Sequence, residues 1–156
     1  MTNYQEELVS AIWTELAPLL ERHWLEIAHY PDIPLAPDRA AYEKFERAEA
    51  LRCYTARKEM VLIGYAVFFV HTNLHYSSSL QAQQDVLFVA PEHRGSSIGV
   101  RLIRYAEREL GALGVQVIYH HAKRATNVGR LLEHLGYELI DGLYGKRLDR
   151  DTTEGA

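Results

Sequence analysis

The chain has 156 residues, 47% of them hydrophobic and 24% charged, with a formal net charge of −4. That length holds one domain with a full core and is short for two. The acidic balance argues against bulk nucleic-acid binding and suits a small cationic substrate better. No apolar run reaches the ~20 residues a membrane span needs. Glu6, Glu7 and Glu15 stand where a secretory leader would be basic and then apolar. Cys53 is the only cysteine, so no internal disulfide forms, and a reducing cytoplasmic setting is the expectation.

From Tyr4 to about Ala28, Leu8, Ile12, Trp13, Leu16, Leu20, Trp24 and Ile27 recur at helical spacing. Pro18 interrupts this run and predicts either a kink or the start of a second helix. Pro31, Pro34 and Pro37 then force an extended loop. Asp38 is placed to cap a short helix from about Arg39 to Glu49, with Tyr42 and Phe45 facing inward. Aromatic residues in this region (Trp13, Trp24, Tyr30 and Tyr42) could line an acceptor pocket, although such spacing more often marks a core.

Leu51–Lys58 alternates as a strand, and Lys58-Glu59 reads as a hairpin turn into a very apolar strand, Met60–His71. A strand apolar on both faces belongs in the centre of a sheet. Leu80–Ala90 is the third strand of this antiparallel run. An amphipathic helix follows from Ser97 to about Leu113, then a short buried strand, Val115–His121. That strand is expected to run parallel to Leu80–Ala90, because a helix crosses between them. A helix over Ala125–Leu135 and two short strands around Asp141-Gly142 complete the pattern. The reading is a single α+β domain over residues 1–148, with a helical acceptor-side region (1–49), a core (50–148) and a frayed tail (149–156).

The most informative stretch is Asp85–Leu102, DVLFVAPEHRGSSIGVRL. A strand ends in it, a loop of small residues follows, and a helix begins. Free backbone N–H groups, a favourable helix dipole and small side chains together make a phosphate cradle. Eight histidines raise the question of a metal, but His71-x-x-x-His75 spans a strand end and a loop, with no carboxylate or cysteine at matching spacing. No metal site is assigned.

The order of elements and the run VAPEHRGSSIGVRLI resemble the GNAT superfamily of acyl-CoA-dependent N-acyltransferases. The family signature, (Arg/Gln)-x-x-Gly-x-(Gly/Ala), is matched by Arg94-x-x-Ser97-x-Gly99. Asn127 and Gly136-Tyr137 match the Asn that opens the family's next helix and the Gly-aromatic pair that closes it. The likeness runs from about Arg52 to Leu148. It implies a mixed, mostly antiparallel sheet flanked by helices, here without the family's usual first strand.

The resemblance also implies that backbone groups at Leu87, Phe88 and Val89 pair with the pantetheine arm of acetyl-CoA. It places the pyrophosphate on Arg94, Gly95, Ser96, Ser97, Ile98, Gly99 and Val100, with Asn127 beside the cofactor. Ser97 departs from the family's glycine. A positive φ there would strain it, whereas ordinary N-cap geometry would leave its hydroxyl free for a phosphate oxygen. Some members carry a carboxylate base four residues before the position of Val89, which here is Asp85, with burial expected to raise its pKa. Glu92 is a poorer candidate on the surface. The family's usual acid, a tyrosine, is replaced by Leu132, which leaves Tyr119, His120, His121 or Tyr144 for that task, or no acid at all.

The resulting expectation is acetyl transfer from acetyl-CoA to a primary amine of a small molecule or peptide, with a homodimer left open and neither membrane nor nucleic acid as a partner. Two other readings stand beside it. One is an acyl-CoA-binding module without turnover. The other takes Gly95-Ser96-Ser97-Ile98-Gly99 as the G-x-S-x-G elbow of an esterase or thioesterase with Ser97 as nucleophile. The order serine, acid, histidine is hard to complete downstream, since only His134 remains, beside Glu133.

Overall fold

The computed structural model describes residues 1–150. Its elements in chain order are β1 (Thr2–Glu6), α1 (Val9–Ile27), α2 (Arg39–Arg47), β2 (Leu51–Lys58), β3 (Val61–Thr72), β4 (Leu80–Val89), α3 (Ile98–Ala112), β5 (Val117–Tyr119) and α4 (Val128–His134). A single 3-10 turn, Pro91–His93, joins β4 to the loop before α3. The five strands form one sheet in the order β1-β2-β3-β4-β5. The first four are mutually antiparallel, and β5 lies parallel to β4.

The expected central strand is central. Leu62, Tyr65 and Val67 of β3 face α1, while Ile63, Ala66, Phe68 and Val70 face α3. Alternation from Gly64 onward, with a change of parity at Ile63 where β3 carries one residue more than β2, feeds two cores, one on each side of the sheet. Val9, Ile12, Leu16, Leu19 and Leu20 of α1 fill the first. Leu102, Ala106 and Leu110 of α3 fill the second at the spacing of one helix face.

Two expectations are corrected and one alternative is decided. A first strand is present: Thr2–Glu6 pairs antiparallel with β2, Thr2 opposite Lys58 and Glu6 opposite Tyr54. Its residues, TNYQE, carry little apolar signal because the strand is an edge. Long-range contacts hold it, with Arg52 donating to Glu6 and Tyr4 stacked on Tyr105. Second, of the two readings at Pro18, a separate helix start is excluded, since one helix, α1, runs from Val9 to Ile27 with Pro18 inside it. Third, the strands expected around Asp141-Gly142 do not form, and residues 135–147 carry no helix or strand. Most of the tail expected to fray, residues 151–156, lies outside the described residues. Asp149 pairs with Arg147.

Two local features set the position of α1 and α2. The Glu46 carboxylate of α2 accepts from the Val9 and Ser10 amides, so one helix caps the other. Asp38 caps α2, accepting from the Ala41 amide at 3.0 Å, as its sequence position foretold. The same edge of the molecule carries Arg57, buried between β2 and α1 and bonded to both Glu7 and Glu15.

At the far end of β4, the backbone is pressed against β3. Gly64 lies opposite Val89, and a Cβ there would come within 3.0 Å of the Phe88 carbonyl oxygen and 3.2 Å of a Val89 methyl. The nearest obstacle is backbone, which cannot swing aside. Gly64→Ala is therefore expected to lower unfolding free energy by about 1–3 kcal/mol, the usual range for overpacking, as read by urea denaturation. Unchanged stability would show that β4 is free to move at this point.

Candidate active site

Strand β4 changes parity midway. Val67 of β3 faces Val86, but the next residue, Phe68, faces Gln84, so β4 carries one residue more than β3. The surplus residue is Asp85. Leu80 and Ala82 face the α3 side before the bulge, and Leu87 and Val89 face it after. Even positions therefore give way to odd ones, and Asp85 and Val86 both fall on the α1–α2 side. A bulge of this kind bends a strand and re-aims a side chain.

The parallel partner ends just before it. β5 pairs with β4 only through Gln81–Val117, Ala82–Ile118 and Gln83–Tyr119. Beyond Gln83 the two chains part, and the outer edge of β4 has no strand beside it among the described residues. Side chains close the base of this V. His120 Nδ1 lies 2.6 Å from Gln84 Oε1, and His121 Nε2 lies 3.0 Å from Gln83 Nε2.

The cradle sits at the top of the V. Gly95 takes φ +76°, a left-handed turn that suits glycine, with open space where a Cβ would be. Ser97 caps α3 with φ −76°, so its backbone is unstrained, and its side chain makes no capping bond. Among the described residues, the amides of Gly95, Ser97, Gly99 and Val100 find no protein acceptor. The Ser96 hydroxyl donates to the His93 carbonyl at 3.0 Å. Ile98 is half-buried against the α3-side core. Gly99 leaves β4 close by, since a Cβ there would contact Val89 at 3.8 Å. Asn127 caps α4 and is exposed, with no bond from its side chain to the helix.

Arg94 faces inward. Its Nε donates to the Val89 carbonyl at 2.7 Å, its guanidinium pairs with Glu26 at 2.8 Å, and it lies 5.4 Å from the Phe88 ring centre. It thus ties the end of β4 to α1. Phe88 is buried on that side, with the His23 ring at 5.1 Å.

Asp85 is exposed, contrary to the expectation of a carboxyl raised by burial. Its Oδ2 accepts from the Tyr42 hydroxyl at 2.6 Å. Burial, then the adjacent carboxylate, pushes the Tyr42 pKa far up, so Tyr42 stays a donor. Glu92 is committed elsewhere: Arg22 pairs with it at 2.7 Å and holds its pKa at about 2.

The candidate acids are scattered. Leu132 is buried with no polar atom to offer. Tyr144 is 97% exposed and Tyr119 points partly to solvent. His120 packs edge-on between Phe68 and Tyr137. Sequence reasoning missed the Tyr42–Asp85 and Glu26–Arg94 pairings. Their partners lie 43 and 68 positions apart, beyond any local pattern.

The chain belongs to the acetyltransferase (GNAT) family, whose model matches residues 13–137. Three solved structures share the fold. A ribosomal-protein-alanine N-acetyltransferase from Brucella melitensis biovar Abortus 2308 is 21% identical, covers 95% of this chain and 99% of its own, and has a TM-score of 0.72. A predicted acetyltransferase with acetyl-CoA from Clostridium acetobutylicum is 16% identical, with coverages of 95% and 97% and a TM-score of 0.73. An aminoglycoside acetyltransferase from an uncultured soil metagenomic sample is 18% identical, with coverages of 95% and 99% and a TM-score of 0.74. No curated protein gives a significant sequence match. Among the described residues no helix is long and apolar enough to cross a membrane.

His120 gives the site a pH signature. Burial lowers its pKa to about 4, against ~6.5 in an unfolded chain. Between those values the unfolded state binds more protons, so stability rises with pH across the window and levels off above it. Urea midpoints should fall as pH drops from ~6.5 towards ~4, and His120→Gln should flatten that part of the curve. An identical slope in the variant would assign the titration to another group.

Proposed function

We propose that this protein is an N-acetyltransferase that uses acetyl-CoA to acetylate a primary amine of a small molecule or peptide, in the cytoplasm. The observation that carries the reading is the coincidence on one strand of three things. β4 has an unpaired edge, a carboxylate re-aimed by a bulge, and unpartnered amides at the helix start that follows it.

These features fit the cosubstrate. The amides of Gly95, Ser97, Gly99 and Val100 would hold the pyrophosphate, with the hydroxyls of Ser96 and Ser97 close by. The free edge at Leu87 and the Val89 N–H would pair with the pantetheine amides, in the manner of an added strand, while the N–H and C=O of Phe88 turn to β3. Val89 would offer less, because Arg94 occupies its carbonyl. Arg94 thus acts through the position of β4, Ile98 supports the cradle from below, and Asn127 flanks the opening of the V. Acetyl-CoA, when bound, supplies an acyl group activated as a thioester.

The chain's own proton chemistry lies on the acceptor side. An amine reaches the site as an ammonium ion, and Asp85, directly or through water, takes its proton. The Tyr42 hydroxyl fixes one carboxylate oxygen and leaves Oδ1 to face the acceptor. With leucine at position 132, no side chain there donates a proton to a departing sulfur, and thiolates leave readily without one.

Buried Leu132 also favours a second reading, a module that binds acyl-CoA without turnover. The esterase reading lacks its geometry: Ser97 has relaxed backbone angles and no histidine bonded to it. Free-thiol release from acetyl-CoA over a panel of amines separates the alternatives. The panel should include aminosugars and alanine-terminated peptides, the acceptor classes named for structures that share this fold. Binding without release across the panel would favour the module.

Asp85→Asn should lower kcat by about 10²–10⁴-fold, with acetyl-CoA affinity retained. A rate within a few-fold of the parent would remove Asp85 as the base. Gly99→Asp places bulk and negative charge beside the cradle and should weaken acetyl-CoA binding by about tenfold or more. Calorimetry checks this, and unchanged affinity would move the cofactor elsewhere.

A further inference from the structure

The base of the V is closed from three directions. Gln84 is buried, and its Oε1 lies 2.6 Å from His120 Nδ1. The His120 ring stands edge-on between Phe68 of β3, at 5.6 Å, and Tyr137, at 4.9 Å between ring centres. Phe68 is fully buried. Tyr137 is itself pinned, its amide donating to the Leu132 carbonyl and its hydroxyl to Glu107 of α3 at 2.9 Å. His120 therefore has no room to swing aside, and Gln84 is held through it. The neighbouring Gln83–His121 contact is exposed to solvent and lacks this backing.

The pair is costly as core filling. The second ring nitrogen of His120, Nε2, is buried and finds no partner among the described residues. Burial lowers the pKa of the ring to about 4, which keeps it neutral near pH 7. An orphaned polar atom is a penalty that an apolar pair of the same size would not carry. Packing alone does not account for it.

Gln84 and Asp85 are neighbours on the chain but serve opposite faces of the sheet. Gln84 lies with His120 and Phe68 on the α3 side, and Asp85 with Tyr42 on the α1–α2 side. In the acetyl-CoA reading the pyrophosphate sits at the cradle above Val89, so the acyl end points down the β4 edge towards these two residues. From Leu87 to Asp85 an extended strand rises ~6.6 Å, about the reach of a cysteamine unit and its thioester carbonyl. The carbonyl then falls between a carboxylate on one face and the Gln84–His120 pair on the other.

We propose that the Gln84–His120 pair is the end wall of the acyl pocket and sets the acyl-chain length, admitting acetyl and turning away butyryl and longer chains. The proposal rests on the acetyl-CoA reading given above. A longer chain has to push Gln84 off His120, which would leave both ring nitrogens unpartnered, or compress the aromatic packing behind it. Either cost falls on the bound state alone, so it appears as discrimination between thioesters.

Calorimetric titration of the full chain with acetyl-CoA and butyryl-CoA tests this without requiring turnover. The parent should bind acetyl-CoA about tenfold or more tightly than butyryl-CoA. Gln84→Ala removes the wall and should bring the two within about threefold, chiefly by tightening butyryl-CoA. Gln84→Met restores the length of the side chain without its polar atoms and should keep the parent's discrimination. A pair that only clamps β5 to β4 would alter stability in both variants and leave the ratio alone. Should Gln84→Ala fail to fold, the parent's own ratio decides. Equal binding of the two thioesters by the parent overturns the wall and leaves the acetyl-CoA reading standing, and so does an unchanged ratio in folded Gln84→Ala. Binding of neither thioester overturns both.

Discussion

The site rests on a mismatch of one residue between two strands. β3 and β4 pair in register from Thr72–Leu80 to Phe68–Gln84, and again from Val67–Val86 to Gly64–Val89. Asp85 is what does not fit. Because side chains alternate with a period of two, one surplus residue exchanges the faces of everything after it. Phe88 and Ala90 are thereby sent to the α1-side core and Leu87 and Val89 to the α3 side. The carboxylate is left on the α1–α2 side, where Tyr42 meets it. The bulge also comes two residues after the last β4–β5 pair. The parting of the strands, the free edge and the aim of Asp85 thus share one location.

α1 and the loop after β4 depend on each other through this geometry. Arg94 bonds to the last carbonyl of β4 and to Glu26, and Arg22 bonds to Glu92. Both pairs are solvent-exposed, so each contributes little to stability alone. Their effect is positional: α1 borders the V at a set distance, and the four amides of the cradle face outward. Two family departures read differently in this setting. Ser97 costs nothing in backbone strain at φ −76° and adds a hydroxyl. Leu132 is part of the core, and its loss of a hydroxyl is a chemical change with no structural replacement nearby.

Much of this was legible from local pattern. β2 was read with its observed ends, β3 and β4 to within a residue, and α3 from its apolar face. The small-residue loop and the capping role of Asp38 were equally plain, since turn and cap chemistry is local. What failed was non-local. β1 is a polar edge strand whose only apolar side chain, Tyr4, stacks on a residue of α3. The segment around Asp141-Gly142 has strand composition without a strand partner in its own chain. The bulge was hidden because Gln83, Gln84 and Asp85 are all polar, so alternation gives no cue where parity changes. Asp85 itself could be named, but its exposure and its bond to Tyr42 depend on how α2 packs.

The central claim is that the edge of β4 and the start of α3 hold one extended ligand. Residue-resolved hydrogen exchange with and without acetyl-CoA tests it most directly. The account predicts slowed exchange at Leu87 and Val89 and at the Gly95, Ser97, Gly99 and Val100 amides together, with little change in β1 and β2. Protection confined to another part of the chain, or none at saturating acetyl-CoA, would contradict it.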